Sequence, residues 1–134
     1  MNHINRIKVG ITLGDMNGIG PEIILKTLSD NRLFQNITPV VYGSNRVMNF
    51  YKKAFELNDI TFQGVKDAEQ AVHKKANLIS ITKEELLVEP GKVTAQAGKL
   101  AFMSLEQAVQ DLASNKIDVL VTAPINKKNI QSDD

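Results

Sequence analysis

The chain has 134 residues, a hydrophobic share of 43% and a formal net charge of +1. That length fits one domain able to bury a sizeable core, and the near-neutral balance argues against a nucleic-acid surface or an acidic tail. With no cysteine, neither a disulfide framework nor a thiolate metal site can form. The opening MNHINRIKVGITLGDM is too polar, and its apolar run too short, for a signal peptide. No apolar span is long enough to cross a membrane. These observations define a globular α/β protein expected in the cytoplasm, in one unit over residues 1–134.

Taken in order, IKVGITL (Ile7 to Leu13) is the first predicted strand. Pro21 then fits the first turn of a helix, where its missing N–H costs nothing. Ile23, Ile24, Leu25, Thr27 and Leu28 give that helix an apolar face, which ends near Asp30-Asn31. ITPVVYG (Ile37 to Gly43) is the second strand. Ser44 is the expected N-cap of a helix whose Val47, Met48, Tyr51, Ala54 and Phe55 recur at helical spacing. DITFQ (Asp59 to Gln63) is a weaker strand candidate, and ANLISI (Ala76 to Ile81) a stronger one. The longest helix is expected from Thr94 to Ser114, with Ala97, Leu100, Ala101, Ser104, Leu105, Ala108, Val109 and Leu112 on one broad apolar face. IDVLVTA (Ile117 to Ala123) is the last strand.

Short apolar runs bounded by turn signals read as strands buried on both faces. Alternating with helices, they predict a mostly parallel sheet in a three-layer α/β/α arrangement. The connection TKEELLVEPGKV (Thr82 to Val93), closed by Pro90-Gly91, reads as a surface loop, a lid or a link between subdomains.

Two loops are candidates for chemistry. TLGDMNGIGPE (Thr12 to Glu22) follows a strand and opens a helix. It fails the dinucleotide fingerprint G-x-G-x-x-G, because Ile23 stands at the third glycine position. It fails the phosphate-loop pattern because Ile19 stands where glycine is needed. Glycines still allow a close backbone approach to a ligand, and the N–H groups of a helix start favour an anion. Asp15, Asn17 and Gly18 are therefore candidate substrate-binding residues. The competing reading is a tight turn with Asp and Asn as turn formers. TAPINKK (Thr122 to Lys128) also leaves a strand at its carboxyl end, where open α/β sheets bind ligands. Its Lys127 is a fourth candidate, as a point charge for phosphate; the alternative is a solvated surface turn. His3 and His73 are far apart in the sequence and unframed by carboxylates, and His73 is expected at an exposed helix end. No catalytic or metal-binding residue is assigned.

The two loops together resemble the N-terminal part of the 4-hydroxythreonine-4-phosphate dehydrogenase family. Its first loop commonly reads T-x-G-[DE]-P-A-G-I-G-P-[DE]. Thr12, Gly14, Asp15, Gly18, Ile19, Gly20, Pro21 and Glu22 match, while Met16 and Asn17 replace the usual Pro-Ala. Gly91, Lys92, Gly98, Val121, Thr122, Pro124 and Lys127 match the second block. The resemblance covers essentially all of this chain and about two-fifths of the family's length.

The resemblance implies an oxidoreductase of pyridoxal phosphate (pyridoxine) biosynthesis. It oxidises a small phosphorylated hydroxy amino acid, 4-hydroxythreonine 4-phosphate, with NAD or NADP, and the keto acid then loses carbon dioxide. It further implies a divalent metal (Zn, Mg or Co) acting as a Lewis acid. A homodimer and a two-domain fold like the isocitrate and isopropylmalate dehydrogenases, without the dinucleotide fingerprint, are also implied. The family's metal-binding histidines and a His-Thr pair fall further along than this sequence runs, so no catalytic residue carries over. The expectation is that more polypeptide follows Asp134, that the 134 residues alone are inactive, and that the last strand leaves an exposed apolar edge prone to self-association. Two close alternatives are a dehydrogenase of another phosphorylated hydroxy acid and a phosphate acetyltransferase-like acyl transfer. A stand-alone phosphate-binding module is the third.

Overall fold

A computed structural model describes residues 7–124. Five strands form one sheet: β1 (Ile7–Thr12), β2 (Ile37–Gly43), β3 (Phe62–Gly64), β4 (Ala76–Ser80) and β5 (Val119–Thr122). Their order is β3-β4-β2-β1-β5, and every pairing is parallel. Three α-helices accompany them: α1 (Gly20–Leu28), α2 (Asn45–Ala54) and α3 (Ala95–Ala113). The expected strands and helices thus form within a few residues of their predicted limits, and the weak candidate at Asp59 becomes the short edge strand β3.

Local chemistry sets the helix ends. Pro21 lies in the first turn of α1. Ser44 caps α2 by accepting the Val47 amide, and Thr94 caps α3 by accepting the Ala97 amide. Both α2 and α3 end with paired carbonyl bonds from a residue in the left-handed region. Glu56 (φ 54°) and Leu57 donate to Lys53 and Lys52; Asn115 (φ 62°) and Lys116 donate to Leu112 and Asp111.

The core lies on both faces of β2 and β4. On one side, Ile24, Leu25 and Leu28 of α1 and Val47, Met48 and Tyr51 of α2 pack with Val41 and Leu78. Each fully buried aliphatic side chain there contributes about 1.5–3 kcal/mol. On the other side, Ala108 of α3 meets Val40, Tyr42, Ile79 and Ile117. Ser104 acts as a polar pin in that layer: its Oγ donates to the Tyr42 carbonyl at 2.6 Å and accepts from the Leu13 amide at 2.9 Å. The Tyr42 hydroxyl donates to the buried Asp111 carboxylate at 2.7 Å. Burial, then that carboxylate, pushes the phenol well above its usual range.

Four expectations need correction. First, β1 and β5 are not buried on both faces. The α1–α2 layer covers β2 and β4, so Ile7, Val119 and Val121 remain 44–49% exposed. Second, the apolar face of α1 is narrower than predicted: Ile23 is 45% exposed and Thr27 is exposed. Third, the inward stripe of α3 is built from small residues. Val109 and Leu112 point outward and Leu105 is only partly buried, while Gly98 and Asp111 are buried. On α2, likewise, Ala54 and Phe55 are exposed. Fourth, His73 is in a turn, not at a helix end. Its Nδ1 pairs with Thr38 Oγ1 at 3.0 Å, and the Asn77 side chain ties down this segment through the Val72 N–H and the Val72 and Lys75 carbonyls.

Candidate functional site

β1 and β5 run side by side in register, Thr12 opposite Thr122, so the loops leaving them emerge together at the carboxyl end of the sheet. The two motif loops, more than a hundred positions apart in the sequence, therefore meet. The Asp15 amide donates to the Pro124 carbonyl at 3.0 Å, and the Ala123 amide donates to Thr12 Oγ1 at 3.3 Å. Gly14 is the residue this contact demands. Its φ is +73°, and a Cβ there would overlap the Pro124 carbonyl oxygen. Gly20 serves a different need: a Cβ would sit 2.6 Å from the Leu13 carbonyl oxygen, so only glycine lets α1 start so close to β1.

The Asp15 carboxylate accepts the Asn17 amide at 2.9 Å, and the Asp15 carbonyl accepts the Gly18 amide at 3.0 Å. Asp15 is only 9% exposed. Gly18 has an ordinary φ, and a Cβ there would only touch the Asp15 side chain at 3.4 Å. Ile19 stands at the N-cap of α1, and no side chain caps the helix's first N–H groups.

The two residues that depart from the family pattern both hold the loop from below. Met16 is fully buried, and the Tyr51 hydroxyl of α2 donates to its carbonyl at 2.6 Å. Burial, and next the charge of Asp15, raises that phenol's pKa. Asn17 is 3% exposed and its amide is committed to the 82–93 connection. Nδ2 donates to the Lys92 carbonyl (3.2 Å) and Thr94 Oγ1 (3.3 Å), while Oδ1 accepts the Glu89 amide (2.7 Å). The Asn17 carbonyl also accepts the Gly91 amide at 2.7 Å. With Leu86 buried and its carbonyl held by Arg46 Nε at 2.6 Å, this connection is a fastened strap beside the glycine loop. Sequence reading missed Tyr51, Thr94 and Ser104 as loop supports. The signal available was a hydroxyl placed on an otherwise apolar helix face, or at a cap.

Asp15, Asn17 and Gly18 thus share one corner with Ala123 and Pro124. Lys127 lies outside the described residues, as does His3. Among the described residues, no three His, Cys, Asp or Glu side chains are grouped to hold a metal ion. No helix of the described part is long and apolar enough to cross a membrane.

Residues 35–134 match the family model for the pyridoxal phosphate biosynthetic protein PdxA. The chain belongs to the PdxA family. It is 42% identical over 130 residues to a 4-hydroxythreonine-4-phosphate dehydrogenase of Bacteroides thetaiotaomicron, a match covering 97% of this chain and 35% of that protein. It is 31% identical to a protein of Oceanobacillus iheyensis whose name assigns D-threonate 4-phosphate dehydrogenase only provisionally; that match covers 92% of this chain and 38% of the relative. The crystal structure of a 4-hydroxythreonine-4-phosphate dehydrogenase from Klebsiella pneumoniae superposes with a TM-score of 0.83 at 26% identity. It covers 98% of this chain and 40% of the solved one. The chain therefore spans between a third and two-fifths of the PdxA relatives it matches, in the α/β fold expected from its sequence.

Proposed function

We propose that this chain supplies the N-terminal lobe of a nicotinamide-dependent dehydrogenase that oxidises 4-hydroxythreonine 4-phosphate in pyridoxal phosphate biosynthesis. The observation that carries the reading is the meeting of the glycine loop with Ala123-Pro124 at the carboxyl end of a parallel sheet, in a chain of the PdxA family. Asp15, Gly18 and Lys127 are proposed to face the substrate, with the first N–H groups of α1 available to an anionic group. Asn17 serves the same site by holding the loop, since its amide is spent on the strap. The cofactor is NAD or NADP, and the working enzyme is a cytoplasmic homodimer.

A divalent ion (Zn, Mg or Co) belongs to this reading as a Lewis acid. The donor set of the described residues does not suit one, because Asp15 has no second or third ligand beside it. No metal-dependent step is assigned to these residues; their part is to position substrate and exclude water. The same holds for hydride transfer, which needs a nicotinamide set against the substrate carbon. The 134 residues alone are expected not to reduce NAD.

A second reading, D-threonate 4-phosphate as substrate, is favoured by the Oceanobacillus relative and kept open by Met16 and Asn17. The acyl-transfer and stand-alone binding readings gain no support from the relatives' names. The test is a hybrid in which this chain replaces the matching part of the Bacteroides relative, with that relative as positive control. Reduced nicotinamide is followed with each substrate. Turnover of 4-hydroxythreonine 4-phosphate supports the first reading, and turnover of D-threonate 4-phosphate alone moves the assignment to the second. Loss of both by a folded hybrid would sink the dehydrogenase reading.

A further inference from the structure

A cleft of about 320 Å³ opens at the amino end of β3 and β4, the opposite end of the sheet from the glycine loop. Its volume falls at the small end of the range for ligand pockets, about 300–1,000 Å³. Leu28, Phe34, Ile60 and Ala76 form an apolar floor, and all but Phe34 are buried. The rim is polar and open to water. Asp59 and Thr61 precede β3, Lys74 and Lys75 precede β4, and Asn31 follows α1. Phe62 pairs with Ala76, so the two charged segments enter the sheet side by side.

The charges of this rim do not close on each other. Surface pairs form elsewhere, as between Lys26 and Glu22, yet among the described residues no ion pair joins Asp59 to Lys74 or Lys75. The lysine turn is also held in place. Lys74 has a φ of 65°, a conformation disfavoured for any residue with a side chain and retained at ligand clamps. The buried Asn77 amide locks the turn, donating to the Val72 and Lys75 carbonyls at 3.1 Å and accepting the Val72 amide at 2.8 Å. On the other side, α1 ends at Leu28, so its carbonyl end favours a cation, as Asp59 does. We propose that this cleft binds a free α-amino acid with an aliphatic side chain. Its carboxylate meets Lys74 and Lys75, its ammonium meets Asp59 and the end of α1, and its side chain lies on the floor. A lone anion would face Asp59 and a lone cation would face the lysines, whereas a zwitterion satisfies both. This site is independent of the dehydrogenase reading.

The test is a titration of the isotope-labelled chain with L-leucine, followed by the resonances of its backbone amides. Isocaproate, which lacks the ammonium, isoamylamine, which lacks the carboxylate, and inorganic phosphate are titrated in parallel. L-leucine is expected to shift the amides of Asn31, Thr61, Lys75 and Ala76 saturably and to leave Gly18 and Gly20 unmoved. Each of the other three probes should bind at least about tenfold more weakly. The same loss is expected for L-leucine on Asp59→Asn and on the double variant Lys74→Ala, Lys75→Ala. These positions are exposed, and unchanged Val41 and Leu78 amides confirm that the variants fold. Absence of saturable shifts with L-leucine would overturn the proposal. So would isocaproate or phosphate binding as tightly as L-leucine, which would make the cleft an anion site, or undiminished binding to either folded variant. Should a variant not fold, the comparison of probes on the unaltered chain still decides.

Discussion

At the scale of single residues, glycine and asparagine in the β1–α1 loop do unlike jobs. Gly14 has a positive φ and no room for a Cβ, so Gly14→Ala is expected to destabilise by at least about 2 kcal/mol. Gly18→Ala, four positions on, meets only an ordinary contact and is expected within about 0.5 kcal/mol of the wild type. Urea melts of the two variants measure the contrast; equal losses would mean that the positive φ at Gly14 carries no cost. Asn17→Ala removes three side-chain bonds and leaves the Glu89 amide without its partner. The expected cost is about 1–3 kcal/mol, with faster amide exchange at Glu89 and Gly91 while Val47 in α2 is unchanged. A uniform rise across the chain would show global loosening instead. The sequence made the loop visible, because three glycines and a proline between a strand and a helix are hard to read otherwise. It could not say which glycines are obligatory. At Gly14 that is decided by Pro124, which reaches it only once β5 has paired with β1, and at Gly20 by the Leu13 carbonyl.

At the scale of elements, the termini of α2 and α3 carry a testable strain. Glu56 ends α2 in the left-handed region, where a side chain costs about 1–2 kcal/mol, and it is exposed. Glu56→Gly is expected to raise stability by about 1 kcal/mol, less the chain entropy glycine adds to the unfolded state, as read by chemical denaturation. No change would mean that Glu56 makes a compensating contact. Element positions were readable from strand-length apolar runs, from Pro21 and from the caps Ser44 and Thr94. Burial was not. The runs around Ile7 and Val119 are as apolar as that of β2, yet stay half bare. Composition records what a strand can bury, whereas the number of helices available to cover it is a property of the whole sheet. Likewise Val109 and Leu112 fit the apolar period of α3 but fall outside its narrow contact with the sheet, which takes Ala97, Ala101, Ser104 and Ala108.

At the scale of the whole molecule, both tyrosines of the chain lie in the two opposite core layers, and both phenols are raised, by burial first and by Asp111 or Asp15 second. A raised pKa stabilises the fold fully below the unfolded value of 10.0 and loses that contribution as pH climbs toward the folded value. The native protein is therefore expected to show less tyrosinate absorbance around pH 10 than the urea-unfolded chain, which titrates there. Stability should fall steeply above that pH. A phenol titrating normally in the native state would place its layer in water. The pairing of β1 with β5 has a consequence in time. Lys8 and Asp118 exchange bonds across 110 positions: the Lys8 amide donates to the Asp118 carboxylate, and the Asp118 amide donates to the Lys8 carbonyl. Such a contact closes a loop holding nearly every other element, and closure entropy grows with loop length. During synthesis, β1 leaves the ribosome before β5 and waits for about 110 further residues before that neighbour exists. The glycine loop, set by Pro124, is then among the last features to take shape, so the candidate site matures at the end of folding and not at its start.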